Sequence, residues 1–221
     1  MGIISFSIPS DLVFTFSKKY DIKNFVETGT FKGNSSVWAS NHFKNVYTIE
    51  IDETIYNETK NRSDAGNNIE FILGNSKDEI PKVIEKLDGP AIFWLDGHWC
   101  VGAGGKEMEC PINDELIAIS KRQDCVILID DARCFLSKLP PPHNSEDWPR
   151  IDEIFALIKK YYPDYIVTIA QDVIVAVPSY MKKELDFYME NNFYNFYGET
   201  NIINKYSIYK LLKIKLRSLF N

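Results

Sequence analysis

The sequence has little cysteine, little histidine and no long apolar run, and each shortage excludes something. There are four cysteines and three histidines in 221 residues. Cys100 and Cys110, and Cys125 and Cys134, lack the close pairing of a zinc knuckle. No apolar stretch reaches the roughly eighteen residues that a membrane-spanning helix needs. The opening MGIISFSIPSDLVF has no basic segment ahead of its apolar residues and meets Pro9 early, so no secretory leader is expected. Phe6 stands where an N-myristoylation signal wants Ser or Thr. A cytoplasmic protein with reduced thiols is the expectation, and the sequons at Asn34, Asn57 and Asn61 are then chance matches. Positive charge is also short: the formal net charge is -6. That leaves no electrostatic footprint for nucleic acid and points to a small-molecule or neutral glycan partner. Internal repeats, low-complexity segments, a Walker loop and a nucleophile elbow are all missing.

What remains is an ordinary globular mixture. Hydrophobic residues make up 45% of the chain and charged residues 25%. The length suits one domain, 1–221, with a core over about 22–180. Short apolar runs at Asn24–Glu27, Val46–Ile51, Ile69–Leu73, Ala91–Leu95 and Cys125–Ile129 alternate with helix-like stretches near Ser35–Phe43, Glu53–Ala65, Ser76–Leu87 and Ile112–Lys121. This alternation predicts βαβ units and a mostly parallel sheet, and continuous apolarity predicts strands covered on both faces. Lys138–Arg150, with four prolines, reads as an ordered loop and Ile151–Tyr161 as a helix. Tyr165–Ala170 and Val173–Val177 are separated only by Gln171-Asp172, too few residues for a parallel crossover, so they form an antiparallel hairpin. The expected fold is α/β: a doubly wound, mostly parallel seven-stranded sheet with an antiparallel C-terminal hairpin.

Two groups of residues carry chemistry. The first is the turn Glu27-Thr28-Gly29-Thr30-Phe31-Lys32-Gly33, which ends the first strand and opens a helix. Its glycines allow backbone to approach a ligand closely, and the helix N-terminus favours negative charge. The E-x-G-x-x-x-G spacing differs from the G-x-G-x-x-G of dinucleotide enzymes, which disfavours a nicotinamide cofactor. It suits a ligand with a carboxylate and an amino group. Glu50, at the end of the second strand, is placed to accept hydrogen bonds from ribose hydroxyls. Asn75 and Ser76 follow the third strand, within reach of a base.

These features together resemble the class I S-adenosylmethionine-dependent methyltransferase superfamily, over roughly 25–177. The resemblance implies a Rossmann-like methyltransferase fold and S-adenosylmethionine as cofactor. Glu27, Gly29, Thr30, Gly33 and Ser35 would line its methionine part, Glu50 the ribose, Asn75 and Ser76 the adenine, with Asp96 beside the reacting centre.

The second group is Leu95-Asp96-Gly97-His98 and Ile129-Asp130-Asp131, at the ends of the fourth and fifth strands. Ligands in open α/β sheets sit at such strand ends. Three carboxylates converging there repel one another unless a proton or cation intervenes, and hard oxygen ligands suit Mg²⁺, Ca²⁺ or Mn²⁺. Strand-end capping and ion pairs with Arg133 or nearby lysines are the alternative. The aspartates resemble those of the macrocin and novobiocin type of metal-dependent sugar O-methyltransferase. That resemblance implies a divalent cation, most simply Mg²⁺, on Asp96, Asp130 and Asp131, holding two neighbouring hydroxyls of a sugar or other polyhydroxy acceptor. The sequence departs from the pattern at His98, where an acid is common, and at Ala132-Arg133. Asp96 and His98 are the candidate bases; His98 alternatively only orients Asp96 or caps the next loop. The expected activity is therefore that of an O-methyltransferase acting on a sugar or other polyhydroxy small molecule, assisted by a divalent cation. A metal-independent small-molecule methyltransferase and a non-catalytic cofactor-binding scaffold are the rivals.

Loops 99–113 and 134–150 should overhang the site as lids, with Trp99, Phe135, His143 and Trp148 either stacking on an acceptor or packing together. The basic amphipathic tail 205–221 suits a peripheral membrane contact, or packing against the domain or a partner subunit of a homo-oligomer.

Overall fold

A computed structural model describes residues 7–99 and 108–199. Cys100, the loop glycines Gly102, Gly104 and Gly105, and the tail 205–221 lie outside the described residues. The chain divides into two compact units, Met1–Lys182 and Lys183–Asn221. The first holds the whole sheet.

The seven strands are β1 (Asn24–Thr28), β2 (Asn45–Glu50), β3 (Ile69–Leu73), β4 (Ala91–Leu95), β5 (Cys125–Ile129), β6 (Tyr165–Ala170) and β7 (Val173–Pro178), in the order β3-β2-β1-β4-β5-β7-β6. The first five pair in parallel, while β7 runs antiparallel to both β5 and β6. This is the expected doubly wound sheet with an antiparallel C-terminal hairpin. Burial explains the order. Every residue of β1, β4, β5 and β7 is buried, whereas β3 and β6 are partly exposed at the two edges. The all-apolar β7 therefore belongs inside, and the hairpin folds back to place it there. Gln171 and Asp172 both take positive φ, 49° and 70°. A tight two-residue hairpin turn demands this.

Helices α1 (Ser10–Lys19), α2 (Asn34–Ser40), α3 (Glu53–Thr59), α4 (Ser76–Lys86), α5 (Ile112–Ile119) and α6 (Ile151–Tyr161) complete the first unit. Ile80 and Val83 of α4, Leu116 and Ile119 of α5, and Ile154 and Ile158 of α6 are buried in one core cluster with Val26, Phe93 and Ile127 of the sheet. The opposite face carries Phe25, whose ring lies 5.2 Å from that of Phe43. The helix α1 is not signalled by the strand–helix alternation; it buries Leu12, Val13 and Phe16. Four helices stop short of their expected ends, α2 at Ser40, α3 at Thr59, α4 at Lys86 and α5 at Ile119, the first two ahead of turns through Asn41 and Arg62. The proline-rich loop holds a short 3₁₀ turn, Ser145–Asp147. The second unit contains nearly all of α7 (Lys182–Glu199), which lies beyond the segments that the sequence pattern assigns. Among the described residues no helix is long and apolar enough to cross a membrane.

Candidate active site

Parallel pairing brings the strand ends to one level. Beyond the strands proper, the Gly29 N–H donates to the Ile49 carbonyl, that of Asp96 to Thr28, that of Asp130 to Leu95 and that of Gly74 to Glu50. The strand order reverses between β1 and β4, the position where an open α/β sheet splays its loops apart and leaves a crevice. Gly29 and Asp96 face each other across it. A Cβ on Gly29 would lie 2.1 Å from the Asp96 carbonyl oxygen, and Gly29 holds φ at +78°. Only glycine fits there.

A cavity of about 340 Å³ opens over this crevice, lined on one side by Gly29, Phe31, Glu50, Gly74, Asn75 and Ser76. Glu50 is 6% exposed and fixed. Its Oε2 accepts from Phe31 N at 2.9 Å and its Oε1 from Asp52 N at 2.9 Å. Each oxygen keeps a second lone pair, the arrangement a ribose diol needs. Asn75 caps α4 through Oδ1, which accepts from Lys77 N at 3.2 Å and leaves the amide group to donate. Phe31 lies outside the residues that the sequence singles out. It is 52% exposed, and the Thr59 hydroxyl holds its carbonyl at 2.6 Å in a backbone with φ 46°. An aromatic side chain in that region is strained, a cost that persists where surroundings fix it. Its position inside the glycine-flanked turn was the available signal.

The other predicted cofactor residues divide. Thr30, Gly33 and Ser35 line a second cavity of about 430 Å³ with Lys32, Asn34 and Trp38. The two cavities share Gly29, Phe31, Asp96 and Asp130. Glu27 lines neither. It is fully buried, and its carboxyl accepts from Ser35, Ser36 and, at 2.7 Å, Thr48, the residue opposite it on β2. Burial pushes its pKa up, against the lowering effect of these hydroxyls. Glu27 thus ties the start of α2 to β2 through hydroxyl groups.

The second predicted group is brought together around His98. Its Nε2 lies 3.0 Å from Asp131 Oδ2 and 3.7 Å from Asp96 Oδ1. Asp96, His98, Asp130, Asp131 and Arg133 all line the first cavity. Burial, reinforced by Asp130 and Asp131 against the pull of His98, raises Asp96 well above the usual carboxylate range. Burial also pushes Asp130 up to about 6, although its carboxylate accepts from Asp131 N at 2.7 Å. For Asp131, burial is outweighed by His98 and Arg133, and its pKa falls. For His98, burial lowers the pKa, but the hydrogen bond to Asp131 and the surrounding carboxylates raise it on balance.

The expected three-aspartate metal centre does not fit this arrangement. Among the described residues no three acidic, His or Cys side chains gather into a cation-binding group. Asp131 explains why. Its Oδ1 lies 2.6 Å from the Arg133 guanidinium and its Oδ2 lies 3.0 Å from the His98 imidazole, so each oxygen already has a partner within the chain. Arg133 is in turn paired with Asp172 of the hairpin turn. Nothing in the sequence around Asp172 announces that β7 returns beside β5 and brings this partner with it.

The lid aromatics pack on one another. Trp148 lies 5.3 Å from His98, 5.7 Å from His143 and 5.7 Å from Phe135, ring to ring. Their clasp is Glu109, which is 1% exposed. Its carboxylate accepts from Trp148 Nε1 at 2.9 Å and Asn144 N at 3.0 Å and pairs with His143 Nδ1 at 3.1 Å. Burial works to raise its pKa, but these donors lower it. Cys110, Cys125 and Cys134 are free thiols.

No family model matches the chain. A 66-residue stretch is 42% identical to an uncharacterised RNA methyltransferase of Clostridium acetobutylicum, covering 29% of this chain and only 14% of that protein. In solved structures the chain is similar to the O-methyltransferase TomG of Streptomyces achromogenes, involved in tomaymycin synthesis and seen with S-adenosylmethionine. The TM-score is 0.55 at 16% identity, over 79% of this chain and 82% of that one. It is also similar to an O-methyltransferase of Bacillus cereus in complex with S-adenosylhomocysteine, with a TM-score of 0.51 at 17% identity, over 77% and 82%. At these identities the likeness establishes a shared fold, the Rossmann-like methyltransferase sheet.

Proposed function

We propose that this protein is an S-adenosylmethionine-dependent O-methyltransferase acting on a sugar or other polyhydroxy small molecule. The observation that carries the reading is the cavity at the strand-order switch, with Gly29, a fixed Glu50 and Asn75 along one wall and Asp96 at its end. When bound, the cofactor supplies a sulfonium methyl group: the acceptor oxygen takes the methyl carbon while the carbon–sulfur pair stays on sulfur. Glu50 would accept from the ribose hydroxyls, and Asn75 and Ser76 would face the adenine. The Gly29 turn would let backbone approach the methionine part. Alignment of acceptor and methyl, with removal of one proton, is the enzyme's share of the chemistry.

Asp96 is the base we assign. It stands where the two cavities meet, and burial raises its pKa, which makes its carboxylate a stronger proton acceptor than an exposed one. His98, held by Asp131, lies 3.7 Å from it and favours its ionised form. The acceptor would occupy the second cavity, whose hydroxyl-bearing Thr30 and Ser35, with Asn34 and Lys32, offer hydrogen bonds and whose Trp38 offers an aromatic wall for a sugar ring. The net charge of -6 disfavours RNA as the acceptor. Because Asp131 is already paired, no step here is routed through a metal.

Calorimetry with S-adenosylhomocysteine and with NAD tests the cofactor assignment; binding of NAD alone would refute it. A screen of nucleotide sugars and glycans with methyl-labelled cofactor, with and without EDTA, then tests the acceptor class.

A further inference from the structure

We propose that Arg133, anchored by Asp172, is a built-in counter-cation for this site, taking against Asp131 the place a divalent ion holds in a metal-assisted enzyme. The consequence for catalysis rests on the methyl-transfer reading; the geometry does not.

Four carboxylates crowd the ends of β4, β5 and the β6–β7 turn: Asp96, Asp130, Asp131 and Asp172. Such a set needs compensation. The guanidinium of Arg133 bridges two of them, touching Asp131 at 2.6 Å and Asp172 in a shorter contact. Guanidinium keeps its charge at every working pH and matches carboxylates in a plane, so it neutralises without a tight hydration shell to lose. A Mg²⁺ ion must instead sit about 2.0–2.1 Å from oxygen lone pairs in a near-octahedral set. To reach Asp131 it would have to settle on the lone pairs left beside the guanidinium and the His98 imidazole, against the repulsion of Arg133.

The backbone over-determines this pairing. Asp131 takes φ 53°, a left-handed conformation, and its carbonyl accepts from Cys134 N at 2.7 Å. Asp172 then receives two N–H groups from the same turn: Ala132 N on its carbonyl at 2.7 Å and Arg133 N on Oδ1 at 2.9 Å. Loop and hairpin turn thus hold the Arg133 backbone against Asp172, with its guanidinium beside Asp131. The arginine is not a Lewis acid for a hydroxyl oxygen, so proton removal stays with Asp96.

Mn²⁺ titration followed by electron paramagnetic resonance tests this without any acceptor or cofactor. The wild-type protein should show no binding tighter than about 1 mM, the range of weak oxygen-ligand sites. Arg133→Gln keeps the backbone bond to Asp172 and uncovers Asp131. It should bind Mn²⁺ at least about tenfold tighter, as removal of a neighbouring positive charge requires. Asp172→Asn should give a smaller gain, because the guanidinium stays but loses its anchor. Micromolar binding by the wild type overturns the proposal, and so does a folded Arg133→Gln with no gain. Circular dichroism checks folding; if Arg133→Gln fails it, Arg133→Met is read in the same way. Failure of S-adenosylhomocysteine to bind would sink the methyl-transfer reading and leave the Mn²⁺ result standing.

Discussion

Replacing Gly29 by alanine should cripple the site for two separable reasons. The first is backbone strain. Gly29 holds φ at +78°. A side chain in that left-handed region costs about 1–2 kcal/mol. The second is overlap. The new Cβ would lie 2.1 Å from the carbonyl oxygen of Asp96, which no rotamer change relieves because both groups are fixed to the main chain. The ends of β1 and β4 must part by about 1 Å to restore contact distance, and overpacking of this kind costs about 1–3 kcal/mol. The total, about 2–5 kcal/mol, is at the severe end for a single substitution. A loss of about 3 kcal/mol lowers the melting temperature of a domain this size by roughly 6–12 °C. The molecule supplies its own control. Gly89 has φ +89° but nothing within 4 Å of where a Cβ would sit, so Gly89→Ala carries the strain and not the overlap. Urea denaturation of both variants isolates the contact as the difference between them. Calorimetry with S-adenosylhomocysteine should show binding lost in Gly29→Ala and kept in Gly89→Ala. Equal stabilities for the two variants would refute the argument that Gly29 is fixed by the approach of Asp96.

Other outcomes follow from the same geometry. Glu50→Gln replaces one acceptor by a donor and should weaken S-adenosylhomocysteine by about 10–100-fold in calorimetry. Asp96→Asn should lower methyl transfer by about 10²–10⁴-fold in the labelled-cofactor assay, the usual share of a general base. The folded-state pKa of Asp130, about 6, lies above the ordinary 3.8, so its protonated form stabilises the fold below pH 3.8 and that contribution disappears as pH rises through 6. Asp130→Asn should remove this fall in denaturation curves recorded between pH 4 and pH 7. The gain relative to wild type over that window should be about 2–3 kcal/mol. Glu109→Ala strands three donors of the lid. It should cost about 2–4 kcal/mol, with faster proteolysis across 140–148 as the second readout.

Much of the sheet was legible because burial on both faces writes itself as unbroken apolar runs, and β3, β4, β5 and β6 begin and end where those runs do. The strand that β7 joins was not, since the pairing of Ile127 with Ala176 is a long-range contact that no local pattern encodes. The strand-end residues were legible as a set because parallel register levels them, and Glu50, Asn75, Asp96, His98, Asp130 and Asp131 do share one cavity. Glu27 shows the limit. Which side of the strand end its carboxyl takes depends on Ser35, Ser36 and Thr48, on two other elements. Arg133 was visible as a potential ion-pair partner, but its grip on Asp131 depends on Asp172, whose approach is a property of the hairpin alone. In α1, Asp11 in the first turn and Lys18 and Lys19 in the last were available as helix-end signals.

The slot beside β5 is filled by β7, the last strand of the sheet to leave the ribosome. A nascent chain that has made everything through β6 can still present β5 as an open edge, with Asp131 and Arg133 beside it and β7 not yet there to hold Asp172 in place. The charge arrangement around Asp131 is completed only when β7 pairs with β5, and a chain cut before Val173 would leave β5 as an exposed edge.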